Sequence, residues 1–204
     1  MSDVPRSMAA QDAATARMVA RRRTIPNGMW GMTIFICSEA TLFGCLIATY
    51  FFLRFRSTQW PPHGIEAPSV AEPLLLTAGL LATTIPMVLA ALAAGRGRRW
   101  LTWFLVGAAT LVQAGYLAWQ ITDYISDLDK FSPDGSAYGS IYFTLIGADH
   151  AHVLLGIVFN LWVLARLLGG LNNYRLVTVR AVSMYWVFVN VLTVLVTLTQ
   201  VSPS

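Results

Sequence analysis

Five stretches of this chain are long and predominantly apolar, at about 28–53, 73–94, 100–122, 140–168 and 181–199, and short polar segments separate them. A helix needs roughly 20 residues, at about 1.5 Å each, to cross about 30 Å of hydrocarbon. Each run therefore predicts a transmembrane helix. The expected fold is all-α, a polytopic membrane bundle of five transmembrane helices over 28–201, preceded by a polar segment over 1–27 whose Arg17 and Arg21 to Arg23 read as the end of a short surface helix.

The connections carry turn and breaker residues. Trp60-Pro61-Pro62-His63 and Pro68 exclude a helix through the loop from Arg54 to Glu72. Pro73 suits the first turn of the second span, and Pro86 inside it predicts a bend. The short Gly95-Arg-Gly-Arg-Arg99 connection makes the second and third spans antiparallel neighbours. An acidic loop is expected from Asp123 to Gly139, with a turn at Ser132-Pro-Asp-Gly135, and Gly169-Gly170 ends the fourth span.

Composition agrees with a membrane class. The chain is 56% hydrophobic and only 12% charged, where soluble domains carry about a quarter charged residues. The net charge of +4 comes from short arginine clusters beside the apolar runs and not from one basic face, so no nucleic-acid partner is expected. Of the 14 Lys and Arg residues, all but Arg54, Arg56 and Lys130 fall on one side of a five-span arrangement. That bias puts the N-terminus in the cytoplasm and the C-terminus outside. No cleaved signal peptide is expected. Cys37 and Cys45 share one helix eight residues apart and cannot bridge each other.

Polar residues inside the spans show which helix faces are buried, because such side chains face protein or a water-filled cavity. The first span carries Glu39 on a face with Phe35, Phe43, Leu46 and Tyr50. An acid at the bilayer centre costs about 2.5 to 3.5 kcal/mol, which ten Ile, Leu and Phe residues between Ile34 and Leu53 offset at about 0.3 to 0.6 kcal/mol each. Gln113, Tyr116, Gln120 and Asp123 form a stripe on the third span. Asp149, His152, Gly156 and Asn160 share a face of the fourth, and Trp186, Asn190, Thr193 and Thr197 share one of the fifth. For Gln113, Tyr116, Asn160, Trp186 and Asn190 the expected role is structural, namely hydrogen bonds between helices. Glu39 and Asp149 admit a structural and a functional reading equally, since a neutral residue could bond without the risk of an unpaired charge.

His150 and His152 lie about 200° apart around a helix, so they cannot chelate one ion together. With one Asp they are too few for a closed metal centre, and no metal site is expected. His152 is expected to pair with Asp149 one turn away, and His63 to have a surface role. No catalytic triad, phosphate-cradling loop or haem-attachment motif is present in the sequence, so no catalytic residue is assigned.

In order along the chain stand Trp30-Gly-Met-Thr-Ile-Phe-Ile-Cys-Ser-Glu39, Trp60-Pro61-Pro62, Leu74-Leu-Leu-Thr77, Gln113-Ala-Gly-Tyr116, Ser136-Ala-Tyr-Gly-Ser140, Asp149-His-Ala-His152-Val153 and Tyr185-Trp186 with Phe188-Val189. Their order and spacing from about Gly28 to Val201 resemble cytochrome c oxidase subunit III, in the five-helix form that lacks the first two spans of longer members. Asp149 and His150 stand where that family usually has His and Gly, and Val187 and Asn190 where it usually has His and Asp. These departures mark a divergent branch.

The resemblance implies a non-catalytic subunit beside catalytic subunit I of a haem-copper oxygen reductase in a bacterial plasma membrane. Haem and copper are then expected in partner subunits, with none in this chain, and phospholipid is expected to be bound. It implies that Glu39, which matches the family's buried carboxylate, and His152, which matches its second His, serve lipid binding or proton uptake, with Asp149 beside them. An accessory subunit of a nitric oxide reductase and a small proton-coupled transporter using Glu39 and Asp149 are the alternatives.

Overall fold

The computed structural model describes residues 25–65 and 69–202. The surface helix expected before residue 24 lies outside them. The expected all-helical bundle is present. Its elements are α1 (Asn27–Arg56), α2 (Ala71–Ala82), α3 (Thr84–Gly95), α4 (Arg99–Lys130), α5 (Ala137–Leu168) and α6 (Asn173–Gln200). With α2 and α3 taken as one span, five helices are long and apolar enough to cross a membrane.

The second span breaks at Thr83, three residues before Pro86. In a continuous helix residue 86 would donate its N–H to the carbonyl of Ala82; proline has no N–H and its ring crowds that carbonyl. The chain tightens instead, with the Thr83 N–H donating to Leu80 O at 2.9 Å, and α3 resumes with Met87 N donating to Thr83 O at 3.2 Å.

Two expected boundaries are corrected. The segment expected as an acidic loop from Asp123 is helical through Lys130, so Asp123, Asp127 and Asp129 belong to the end of α4 and only Asp134 lies in the connection. At 32 residues, α4 is longer than a bilayer core requires, and its last two turns lose apolar character without losing helical structure. Likewise α6 begins at Asn173 and not near Ala181; the Asn172 side chain caps it, accepting from Arg175 N at 2.9 Å. In both places the end of an apolar run is not the end of a helix.

α6 is the most enclosed helix and packs against α1, α2, α3 and α5. α5 lies between α4 and α6, and α4 also packs on α2 and α3. Among the described helices α1 touches only α5 and α6, which leaves most of its surface outward. The core cluster runs through Leu80, Met87, Val106, Val153, Tyr185 and Trp186. The loop after α1 folds back on the bundle: Trp60 is buried, donates its indole N–H to Tyr50 Oη at 3.0 Å, and meets Tyr138 edge to face at 5.0 Å.

Candidate functional site

Glu39 on α1 and His152 on α5 meet where the two helices pack, with Glu39 Oε2 3.1 Å from His152 Nε2. Their side chains are 20% and 12% exposed, so the pair sits just beneath the surface of the bundle. Three aromatic residues frame it. The Phe43 ring stands edge to face against the imidazole at 5.1 Å, Tyr185 donates its hydroxyl to His152 O at 2.8 Å, and Phe35 packs on Tyr185 at 6.1 Å.

The proton inventory of this pair follows from its partners. His152 Nδ1 lies 2.8 Å from Ala148 O, and because a carbonyl only accepts, Nδ1 carries a hydrogen. In the neutral imidazole Nε2 is then a bare acceptor. An acceptor 3.1 Å from a carboxylate oxygen needs one further proton between them, held either as a protonated Glu39 or as imidazolium beside carboxylate. The pair is a one-proton site with no net charge in either form.

Asp149 is bonded elsewhere. It is buried, and Thr193 Oγ1 of α6 donates to its Oδ1 at 2.8 Å. The expected bond between Asp149 and His152 is not formed. The ring nitrogens of His152 are taken by Ala148 O and Glu39, because its ring points toward α1 while Asp149 faces α6. Glu39 and Asp149 therefore belong to separate hydrogen-bonded arrangements.

A third arrangement is a hydrogen-bonded ladder through the core. Trp186 Nε1 donates to Asn160 Oδ1 at 2.9 Å, Asn160 Nδ2 to Gln113 Oε1 at 2.8 Å, Gln113 Nε2 to Thr83 Oγ1 at 3.1 Å, and Thr83 Oγ1 to Leu80 O at 2.7 Å. It links α6, α5 and α4 to the break between α2 and α3. There a threonine hydroxyl and a neighbouring helix support backbone that the proline disrupts. Of the residues expected on structural faces, Gln113, Asn160 and Trp186 form this ladder. Tyr116 instead accepts from Gln120 at 3.0 Å, and Asn190 donates to Thr84 at 2.6 Å. Gly156 makes the ladder possible, since a Cβ there would lie 2.6 Å from Trp186 Cζ2. Sequence reasoning does not single out Thr83 or Thr84. The signal for them is their position two and three residues before Pro86 in an otherwise apolar run.

Among the described residues no group of three or more His, Cys, Asp or Glu side chains could hold a metal ion. The arrangement can hold a proton at one pair and lock helices together.

Comparison with known proteins agrees with the motif order. The family model for cytochrome c oxidase subunit III matches residues 13–201. Cytochrome c oxidase subunit 3 of Bacillus subtilis is 28% identical over 180 residues, covering 83% of each chain. Cytochrome bo(3) ubiquinol oxidase subunit 3 of Pseudomonas aeruginosa is 27% identical, over 81% of this chain and 79% of the relative. A haem-copper oxidase subunit I+III from Aeropyrum pernix is 31% identical over 84% of this chain, which corresponds to 22% of the longer relative. The match takes in every helix from α1 to α6, and the chain belongs to the cytochrome c oxidase subunit III family.

Proposed function

We propose that this chain is the non-catalytic subunit III of a haem-copper terminal oxidase in a bacterial plasma membrane, with its N-terminus in the cytoplasm. The observation that carries the reading is the family match along all five spans. The relative whose name joins subunit I to subunit III supports a place beside the catalytic subunit. Haem and copper belong to the partner subunits in this reading.

Within that role the Glu39–His152 pair holds one proton at the edge of the bundle and supports proton uptake by the neighbouring subunit. Its partial exposure and its two charge-neutral forms favour this use, because neither form leaves an unpaired charge in the membrane. Phospholipid binds along the helix faces. Arginines held over aromatic rings at the helix ends, Arg99 on Trp100 and Arg166 on Trp162, supply positive charge at headgroup level.

The test is purification of the tagged chain from its native membrane. Co-elution of a haem-containing partner in constant proportion is expected, and stable isolation without one would overturn the reading. In the purified complex Glu39→Gln should lower sustained turnover; unchanged turnover with altered lipid content would reduce the chain to a lipid-binding scaffold.

A further inference from the structure

Asp149 stands well inside the membrane-spanning part of α5, roughly 18 Å from the helix start at Ala137. It is 3% exposed, and its side chain has one hydrogen-bond partner among the described residues, Thr193 at 2.8 Å. No salt bridge among the described residues includes it. The ionisable groups near it are Tyr116 of α4, Tyr185 of α6 and His152 of its own helix. None offers a free positive charge, because His152 is committed to Glu39 of α1 and that pair is neutral as a whole. A carboxylate left unpaired in hydrocarbon is costly, so the acid is held with its proton. A carboxylic acid whose Oδ1 accepts from Thr193 then has an O–H to donate, and needs an acceptor for it.

Two more polar atoms nearby are unmet. On α6 Asn190, Thr193, Thr197 and Gln200 follow one another at three, four and three residues and so share a face. Asn190 Oδ1 and Gln200 Nε2, at the two ends of this stripe, are buried with no hydrogen-bond partner among the described residues. Buried atoms of this kind are commonly met by ordered water. Gln200 also lines a cleft of about 780 Å³ that opens where α4 ends and α2 and α5 begin. Gln120 of α4 lines the same cleft and donates to Tyr116 Oη at 3.0 Å, and Tyr116 in turn reaches Thr77 of α2. Thr77 shares a 2.8 Å hydrogen bond with Thr197 of the stripe. Polar side chains thus continue from the cleft wall to Thr197, one helical turn from the Thr193 that bonds Asp149.

Hydroxyl contacts such as these hold α2 and α5 on α6 without any water. That role explains neither the two unpartnered amide atoms nor an acid at a position where a neutral asparagine would bond Thr193 equally well. We propose that a file of water leads from the cleft along the Thr197–Thr193 face of α6 to Asp149, and that Asp149 is a proton-binding site open to that end of the bundle. Water in the file donates to Asn190 Oδ1 and accepts from Gln200 Nε2 and from the Asp149 hydroxyl. In exchange the O–H bond of Asp149 breaks as its proton passes to the neighbouring water, and another proton from the file restores the neutral acid. The site is distinct from the Glu39–His152 pair, because no hydrogen bond joins Asp149 to either residue. It does not depend on the oxidase role.

The experiment uses the full-length chain, within whatever complex it purifies, in nanodiscs on an infrared internal-reflection cell. The buffer is changed from ordinary to heavy water while the carboxylic-acid C=O bands are followed. The band of Asp149 is the one that Asp149→Asn removes and Asp149→Glu shifts, so either variant assigns it if the other fails to fold. That band is expected to exchange in the wild type, and Thr197→Val and Gln200→Leu, each of which removes a hydrogen-bonding group from the file, should slow it about tenfold. Loosened packing would speed exchange, so a slowing separates the file from a merely structural role. Thr110→Val, at a buried threonine that bonds its own helix, should leave the rate unchanged. If neither Asp149 variant alters a carboxylic-acid band, the residue is ionised and the proposal is overturned. A band that never exchanges, or that exchanges equally fast in wild type, Thr197→Val and Gln200→Leu, would overturn it as well.

Discussion

Glu39 Oε2 and His152 Nε2 lie 3.1 Å apart, and the other imidazole nitrogen donates to the backbone of its own helix, so this contact holds exclusively one shared proton. A glutamine at position 39 can donate an amide hydrogen to the same nitrogen and keep the geometry while losing the proton. Glu39→Gln should therefore change unfolding stability by less than about 1 kcal/mol, whereas His152→Leu, which leaves the carboxyl group facing an apolar side chain, should cost about 1.5 to 3 kcal/mol. Thermal unfolding of both variants in nanodiscs checks this. Equal damage from the two would show that the pair acts through charge rather than through the shared hydrogen bond.

Gly156 is the position least tolerant of added volume in the α5–α6 contact. A Cβ would sit 2.6 Å from Trp186 Cζ2 and 2.9 Å from its Cε2, and the indole can retreat only by releasing Asn160. Gly156→Ala should destabilise by about 2 to 4 kcal/mol, from overpacking and one lost hydrogen bond. Gly107 on α4 has nothing within 4 Å of such a Cβ, so Gly107→Ala should be neutral or slightly stabilising. The difference in unfolding midpoint between the two alanine variants is the measurement.

The ladder from Trp186 to Thr83 predicts coupling between side chains on different helices. Asn160→Ala and Gln113→Ala remove opposite ends of one 2.8 Å bond. A double-mutant cycle should give a coupling of about 0.6 to 2 kcal/mol, the range found for hydrogen bonds between membrane helices. Coupling near zero would mean that water or another side chain replaces the missing partner.

The five spans and the polar stripes were legible because hydrophobic length and helical phase are written directly in the residues. Trp186, Asn160 and Gln113 could be placed on buried faces in this way. Which stripes meet could not be read, because periodicity fixes a direction around one helix and says nothing of the rotation of its neighbour. His152 shows the limit: Asp149 is one turn away on the same helix, yet the ring turns to Glu39, 113 residues distant in sequence. The helical ends of α4 and α6 were lost for a simpler reason, since helices continue into water and hydropathy does not.

The arginine asymmetry leads to a last prediction, about orientation. Arg98 is exposed in the connection between α3 and α4, and Asp129 is exposed at the far end of α4. With 32 residues in α4, about 48 Å at 1.5 Å per residue, these two positions stand beyond opposite faces of the hydrocarbon. By the positive-inside rule, the clusters at Arg96 to Arg99 and at Arg166 to Arg180 predict the Arg98 end in the cytoplasm. After Cys37 and Cys45, both exposed on α1, are replaced by alanine, a single cysteine can be placed at either position. A membrane-impermeant maleimide added to right-side-out vesicles should label Asp129→Cys at once and Arg98→Cys only after lysis. The reverse pattern would invert the bundle.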